Sequence, residues 1–290
     1  MSNSPSAAAP PPNRSTFNHS RRIAVGVGVV ALWLVGLLMM ARRNANRSEV
    51  DQLADVALRV QPATFYYAVE RDGRQIGAVS SSIDTTVQNL VSEEYFVGDA
   101  ESATGDTTER TSVRWQSTLS RGFRLQRTTI AVTRAAAPFS IRAAVAEDTS
   151  LVVVSARAGR DTPPVHRSVI PPVFTPALAT VVFMLGGTHE VGRTQTMSVF
   201  DPTTQQVLRP ELKIHAESLF TVVDSAAIGR TGGWTVAHRD TVRAWRIEGG
   251  PGGVVVWVDA EGRVVTGKMG NGLSVTRTAF ELAYRLSQKR

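Results

Sequence analysis

Residues 64–84 read TFYYAVERDGRQIGAVSSSID, and the pattern in them repeats every two residues. Phe65, Tyr67 and Val69 alternate with Thr64, Tyr66, Ala68 and Glu70, the spacing of a strand with two different faces. Asp72-Gly73 follows, a pair suited to a tight hairpin turn because glycine takes positive φ without a steric cost. The return strand runs from Gln75 to Ile83 and carries Gly77. A β-hairpin over 64–84 therefore opens the body of the chain.

Downstream the same kind of segment recurs. Strands are expected at Val87–Val97, Thr111–Leu119, Arg124–Thr133, Ser140–Ala146 and Leu151–Ala156, with turn residues between them. They resume at Arg193–Phe200, Leu212–Phe220, Thr235–Ala237, Thr241–Glu248, Val254–Asp259 and Arg263–Lys268. In Leu212–Phe220 the alternation sets Leu212, Ile214 and Ala216 against Lys213, His215 and Glu217. Residues 98–110 carry Asp99, Glu101, Asp106 and Glu109 without the glycine-centred spacing of a calcium loop, and are expected to be a solvated loop. Two helices interrupt the strands. ALATVVFML, 177–185, lies between Pro176 and Gly186 and is too short to span a bilayer, so it is a buried helix or a lid. Thr278-Ala279-Phe280-Glu281 resembles a capping box, and Ala279, Phe280, Ala283 and Leu286 form an apolar stripe for a C-terminal helix packed on the sheet. The expected class is mainly β (α+β): one large antiparallel, open-barrel-like domain over 62–290.

Upstream, Ile23–Ala41 reads IAVGVGVVALWLVGLLMMA, uncharged and bracketed by Arg21-Arg22 and Arg42-Arg43. At ~1.5 Å per residue it spans roughly 28 Å, close to the hydrocarbon core of a bilayer. Its ten Leu, Ile and Val residues favour insertion by about 4 kcal/mol, with no charge opposing them. A cleaved signal peptide has a shorter apolar region and a small-x-small cleavage site, so 21–43 is taken as a transmembrane anchor. Ile23, Val27, Leu32, Trp33, Leu37 and Met40 are its membrane-anchor residues. Ala24 and Gly28 form a small-xxx-small pair for a helix–helix contact. Gly26, Gly28 and Ala31 match a dinucleotide fingerprint in letters only, because they sit inside the apolar span rather than between a strand and a helix.

Residues 1–20 are rich in Ser, Pro and Ala and are expected to form a flexible tail. Ser48-Glu49-Val50-Asp51 resembles a capping box. Val50, Leu53, Ala54, Ala57 and Val60 recur at helical spacing, so 44–61 is expected to be a helical stalk ended by Pro62. Basic residues flank the anchor evenly, and the short acid-free N-terminal side favours a cytoplasmic N-terminus. The expected location is a bacterial inner membrane, crossed once, with the β-rich domain in the periplasm.

The chain carries +7 overall, but five arginines before residue 44 account for most of it. The remainder holds 27 basic and 25 acidic side chains and no basic run, which excludes a nucleic-acid footprint. The absence of cysteine removes thiolate metal sites and cysteine nucleophiles. No G-x-S-x-G is present, and His189-Glu190 begins an H-E-x-x-H whose fifth residue is Arg193. His19, His166, His215 and His238 are widely separated, and Lys213 and Lys268 find no distinctive serine partner. Tyr66, Tyr67, Trp115, Trp234, Trp245 and Trp257 fall on expected strands, where core packing explains them first and a ligand cavity second. No catalytic residue, metal or cofactor is assigned.

The run at 64–84, the Pro-bounded helix ending in Gly186-Gly187, and VWVDAEGRVVTGKMGNGLSVTRTAFELA at 256–283 together resemble a β-rich bacterial envelope domain of unknown function found on or beside transglutaminase-like proteins. The resemblance implies a periplasmic β scaffold. It carries no catalytic residue over, since a transglutaminase core needs a cysteine. The arrangement is also similar to lipoprotein-carrier-like open barrels. The expected role is a non-catalytic accessory or structural subunit of a larger membrane protein complex, energy-transducing (respiratory or photosynthetic) or a transporter. The bilayer and membrane-protein partners are its contacts. A periplasmic carrier of a lipid or other apolar ligand is the alternative, and an unrecognised enzyme the third.

Overall fold

The structure, a computed structural model, describes residues 49–101, 108–134, 138–146, 149–228, 233–249, 253–269 and 272–284. The anchor candidates Ile23, Ala24, Val27, Gly28, Leu32, Trp33, Leu37 and Met40, the tail, and Ser48 lie outside the described residues. Among the described residues, no helix is long and apolar enough to cross a membrane. The chain divides into residues 1–49 and 50–290, and the second unit carries the fold.

The expected hairpin forms as β1 (Ala63–Arg71) and β2 (Arg74–Thr85). Asp72 and Gly73 take φ of 51° and 75° in its turn, as the tight hairpin connection requires. β3 (Asn89–Glu101), β4 (Thr108–Ser120), β5 (Leu125–Thr133), β6 (Phe139–Ala146) and β7 (Ser150–Arg157) continue as an antiparallel meander. The short strands β8 (Arg160–Asp161) and β9 (Val165–Ser168) both pair with β7. Pro163-Pro164 and Pro171-Pro172 flank β9, and proline blunts a sheet edge by withholding a backbone donor.

A second meander consists of β14 (Glu211–Ile228), β15 (Gly233–Glu248), β16 (Val255–Val258), β17 (Val264–Lys268) and β18 (Leu273–Thr278). β18 pairs with β1, so the two meanders form one mainly antiparallel sheet of fifteen described strands, with β1 near its middle. β11 (Thr194–Thr196) borders β14 at one end. The sheet curls. Four strand spacings separate β14 from β18, about 19 Å in a flat sheet. Yet Asp224 of β14 and Arg277 of β18 are 2.7 Å apart.

Three helices accompany the sheet: α1 (Glu49–Arg59), α2 (Pro176–Leu185) and α3 (Phe280–Ala283). Thr175 caps α2 by accepting from Leu178 N, and Pro176 opens it where no backbone donor is needed. Leu178, Val182, Phe183 and Met184 are buried in one core with Leu90, Leu119, Ile141 and Leu151 from the first meander and with Ile214, Trp245, Ile247 and Val258 from the second. ALATVVFML is therefore a buried helix held between the two arms of the sheet.

Several expectations change. The helix taken as a stalk is part of the body: Leu53, Val56, Ala57 and Val60 join the same core. Much of the expected loop over 98–110 is strand instead, because β3 and β4 pair as far as Glu101 and Thr108. Arg193–Phe200 splits at Met197 into β11 and β12 (Ser198–Asp201), which belong to different sheets. β12 lies parallel to β10 (Val173–Phe174) and antiparallel to β13 (Gln206–Leu208), a small second sheet. The segments at 235–237 and 241–248 are one strand. The capping box at Thr278–Glu281 does not form: Ala279 is the N-cap and supplies no side-chain hydrogen bond. α3 keeps only the Ala279 and Ala283 part of its stripe buried, and Leu286 lies outside the described residues.

Candidate functional site

Cross-strand partners share a face of a sheet. Phe65 pairs with Ser81 and Ser81 with Glu94, so the three form a row across β1, β2 and β3 on the concave side. With Tyr67 they floor a crevice roofed by Thr180 and Val181 of α2 and by Gly262 and Arg263 of the β16–β17 turn. It holds about 40 Å³ of water-sized space. Glu94 keeps partial access to solvent, but its carboxyl is surrounded by protein. Burial pushes that carboxyl up to about 7, against the hydrogen bond from Ser92 Oγ at 2.8 Å and with a smaller push from the Glu93 charge. Burial likewise raises the Tyr67 phenol.

The next row is also polar. Ser92, Ser117 and Thr128 are register partners on β3, β4 and β5, each almost fully buried. Ser117 and Thr128 hydroxyls lie 2.7 Å apart, and Trp115 Nε1 donates to Thr128 Oγ1 at 2.7 Å. Buried polar groups must be paired, and these satisfy one another.

An ion cluster borders the crevice. Arg277 donates to Asp224 through Nε at 2.9 Å and Nη2 at 2.7 Å, and to Asp259 through Nη1 at 3.2 Å. Burial raises the Asp259 carboxyl, although backbone donors from Arg263 and Glu261 and the Arg277 charge pull it down. The Phe65 ring receives two guanidinium groups, Arg277 at 3.9 Å and Arg263 at 4.6 Å from its centroid. Arg263 also donates to the Gln61 carbonyl at 3.0 Å. A second crevice, of about 280 Å³, lies among Arg124, Leu125, Val145, Pro171 and Val173.

No family model and no curated protein matches this chain. Among solved structures, it is similar to a beta-barrel-like protein of a domain of unknown function (DUF1849) from Brucella abortus. That likeness has a TM-score of 0.51 at 12% identity and covers 76% of this chain and 95% of the other. A DUF1089 family protein from Pseudomonas aeruginosa aligns at a TM-score of 0.36 and 7% identity, over 67% of this chain and 90% of the other. The first likeness bears on the fold, a mainly β, barrel-like domain.

The residues singled out in the sequence do not converge. His189 Nε2 lies 3.1 Å from the Met184 carbonyl, and its ring packs on Trp245 at 4.6 Å between centroids. His215 sits 3.4 Å from Glu248 on β14 and β15. His166 is exposed on β9, and position 238 faces Asp224 in the strand register. His19 lies outside the described residues. Lys213 is opposite Glu248, and Lys268, exposed, is opposite Ser274. Trp115, Trp245 and Trp257 pack in or against the cores. Among the described residues, no three His, Cys, Asp or Glu side chains are grouped to hold a metal ion.

Sequence reasoning passed over Glu94 and Arg277. A signal for Glu94 was present. Two adjacent acids in one strand, Glu93-Glu94, must face opposite sides, so one of them has to enter the concave face. Glu93 faces out and pairs with Arg114 at 2.8 Å, and Glu94 faces in. Nothing local distinguishes Arg277, whose acidic partners lie 18 and 53 residues away.

Proposed function

We propose that the chain is a non-catalytic accessory subunit of a larger membrane protein complex, anchored by 23–41 with its N-terminus cytoplasmic and its β-rich domain in the periplasm of a bacterial cell. The observation that carries this reading is how the concave face is filled. Side chains of α1 and α2 occupy it, and two crevices among the described residues beside them, about 40 and 280 Å³, fall below the ~300–1,000 Å³ of small-molecule pockets. A scaffold that spends its concavity on its own core has its outer surface and its anchor left for partners. Leu58, Val87, Ile170, Val191 and Leu219 are each more than half exposed on that surface. Native mass spectrometry of the full-length chain, extracted from its own membrane in mild detergent, tests the reading. A stoichiometric protein partner is expected, and a lone monomer would overturn it.

The larger crevice supports a second reading. Its walls of Leu125, Val145, Val169 and Val173 suit one branch of an apolar ligand, and a retained lipid mass in the same experiment, without protein partners, would favour a carrier.

A further inference from the structure

The crevice over Glu94 is roofed by two elements that are joined to each other. Thr180 Oγ1 of α2 donates to the Gly262 carbonyl at 2.9 Å, and the backbones at Gly262 and Val181 touch with no side chain between them. We propose that Glu94 is a proton-binding site that governs how tightly α2 and the β16–β17 turn close over β1–β3, the protonated carboxyl holding the seam shut. The inference does not depend on the subunit reading.

Among the described residues, none is ion-paired with Glu94, and the one cation lining its crevice, Arg263, is engaged elsewhere. Its own strand offers Ser92, a neutral partner, and Glu93, which faces outward to Arg114. β1 presents the Tyr67 phenol, kept protonated by burial. β2 presents Ser81, β4 presents Trp115 and α2 presents Ala177, Thr180 and Val181, none of them charged at neutral pH. The turn presents Arg263, engaged by Glu261 at 3.1 Å, by the Gln61 carbonyl and by the Phe65 ring. Beyond Phe65, Arg277 is held by Asp224 and Asp259. A neutral carboxyl is content here with one hydroxyl partner. A carboxylate is not, and water is the available remedy. About 40 Å³ admits one or two waters, fewer than the roughly four lone-pair sites of a carboxylate take in bulk water, so full hydration of the anion favours a lifted roof. Lifting the turn pulls on Arg263 and through it on Gln61, the segment joining α1 to β1.

The direction with pH follows from the two states. Opened to solvent, Glu94 returns toward its ordinary value of 4.5, while closed it lies near 7. Below pH 4.5 both states hold the proton and closure is strongest. Between 4.5 and 7 the open state ionises first, and closure weakens by roughly 300-fold in total. Above 7 it levels off.

Hydrogen exchange of the full-length chain in detergent, with rates corrected for intrinsic pH dependence, tests this. Protection at 176–185 and 259–264 is expected to fall about 25-fold between pH 5.5 and 8.0. In Glu94→Gln, which keeps an acceptor for Ser92 but cannot ionise, it is expected to stay level. Unchanged wild-type protection, or an equal fall in Glu94→Gln, overturns the proposal. If the variant does not fold, the wild-type profile decides alone. A fall confined to pH 4.5–7 and to those two segments supports the proposal, and a fall outside that window, or one shared by β14 around His215, overturns it.

Discussion

Burial withholds water from the Glu94 carboxylate more strongly than Ser92 can compensate, and pushes the carboxyl up to about 7. A group whose folded value lies above its unfolded one holds its proton longer when folded, so its stabilising effect is complete below pH 4.5 and is lost as pH rises through 7. The loss amounts to about 3 kcal/mol. Glu94→Gln should therefore raise the urea midpoint above wild type at pH 8.5 and leave it nearly unchanged at pH 5. Midpoints that move in parallel would show that the carboxyl is not the cause. Arg277 presents the opposite problem, a cation whose removal leaves two partly buried acids, Asp224 and Asp259, without their shared partner. Arg277→Ala should cost about 3–5 kcal/mol in urea unfolding at pH 7. The deficit should shrink toward pH 4 as the stranded Asp259 takes up a proton. Arg277→Lys, which keeps the charge but loses the two-pronged contact to Asp224, should fall between.

Among the elements, α2 and the β16–β17 turn meet at a contact that leaves no room for a side chain at Gly262. Gly262 has φ of 79°, and a β-carbon there would come within 2.5 Å of the Thr180 carbonyl oxygen. Gly262→Ala should lower stability by more than the ~1 kcal/mol of a positive-φ glycine alone, because α2 has to shift as well. Differential scanning calorimetry would register it as a fall in Tm. A control at Gly159, also at positive φ but with nothing near its β-carbon position, should lose only the backbone part. The elements that could be read from the chain were those with strong local signals. The 64–84 hairpin has its alternation and its Asp-Gly turn, and α2 has proline at one end and glycine at the other. β18 goes beyond the strands expected from sequence: LSVTRT is only six residues after a glycine turn, and it pairs both with the neighbouring β17 and with β1, more than 200 residues earlier. RTQTMSVF, 193–200, holds no glycine or proline to mark a break at Met197, although β11 and β12 on either side of it join different sheets.

For the whole molecule, α1 is the decisive boundary. A chain of residues 49–290 should keep the far-UV circular dichroism of the β domain, since the core lies within the 50–290 unit. Removing α1 as well, to begin at 62, deletes Leu53, Val56, Ala57 and Val60 from that core and should cost about 5 kcal/mol or more, at ~1.5–3 kcal/mol for each large aliphatic side chain. Equal denaturant midpoints for the two chains would return α1 to the role of a stalk.

Local pattern determined the class of this protein: a β-rich body with short helices within it, behind a long uncharged segment. These are properties of neighbours in sequence, where periodicity, turn chemistry and hydropathy act over a few residues. Only the tertiary structure decided that β18 closes on β1, that the sheet curls around α1 and α2, and that Glu94 and Arg277 end up buried. The physical reason is that burial and pairing are long-range. A glutamate in a strand has the same local sequence whether its carboxyl meets water or the underside of a helix eighty residues away. An arginine acquires its partners only when a curled sheet brings β14 over β18.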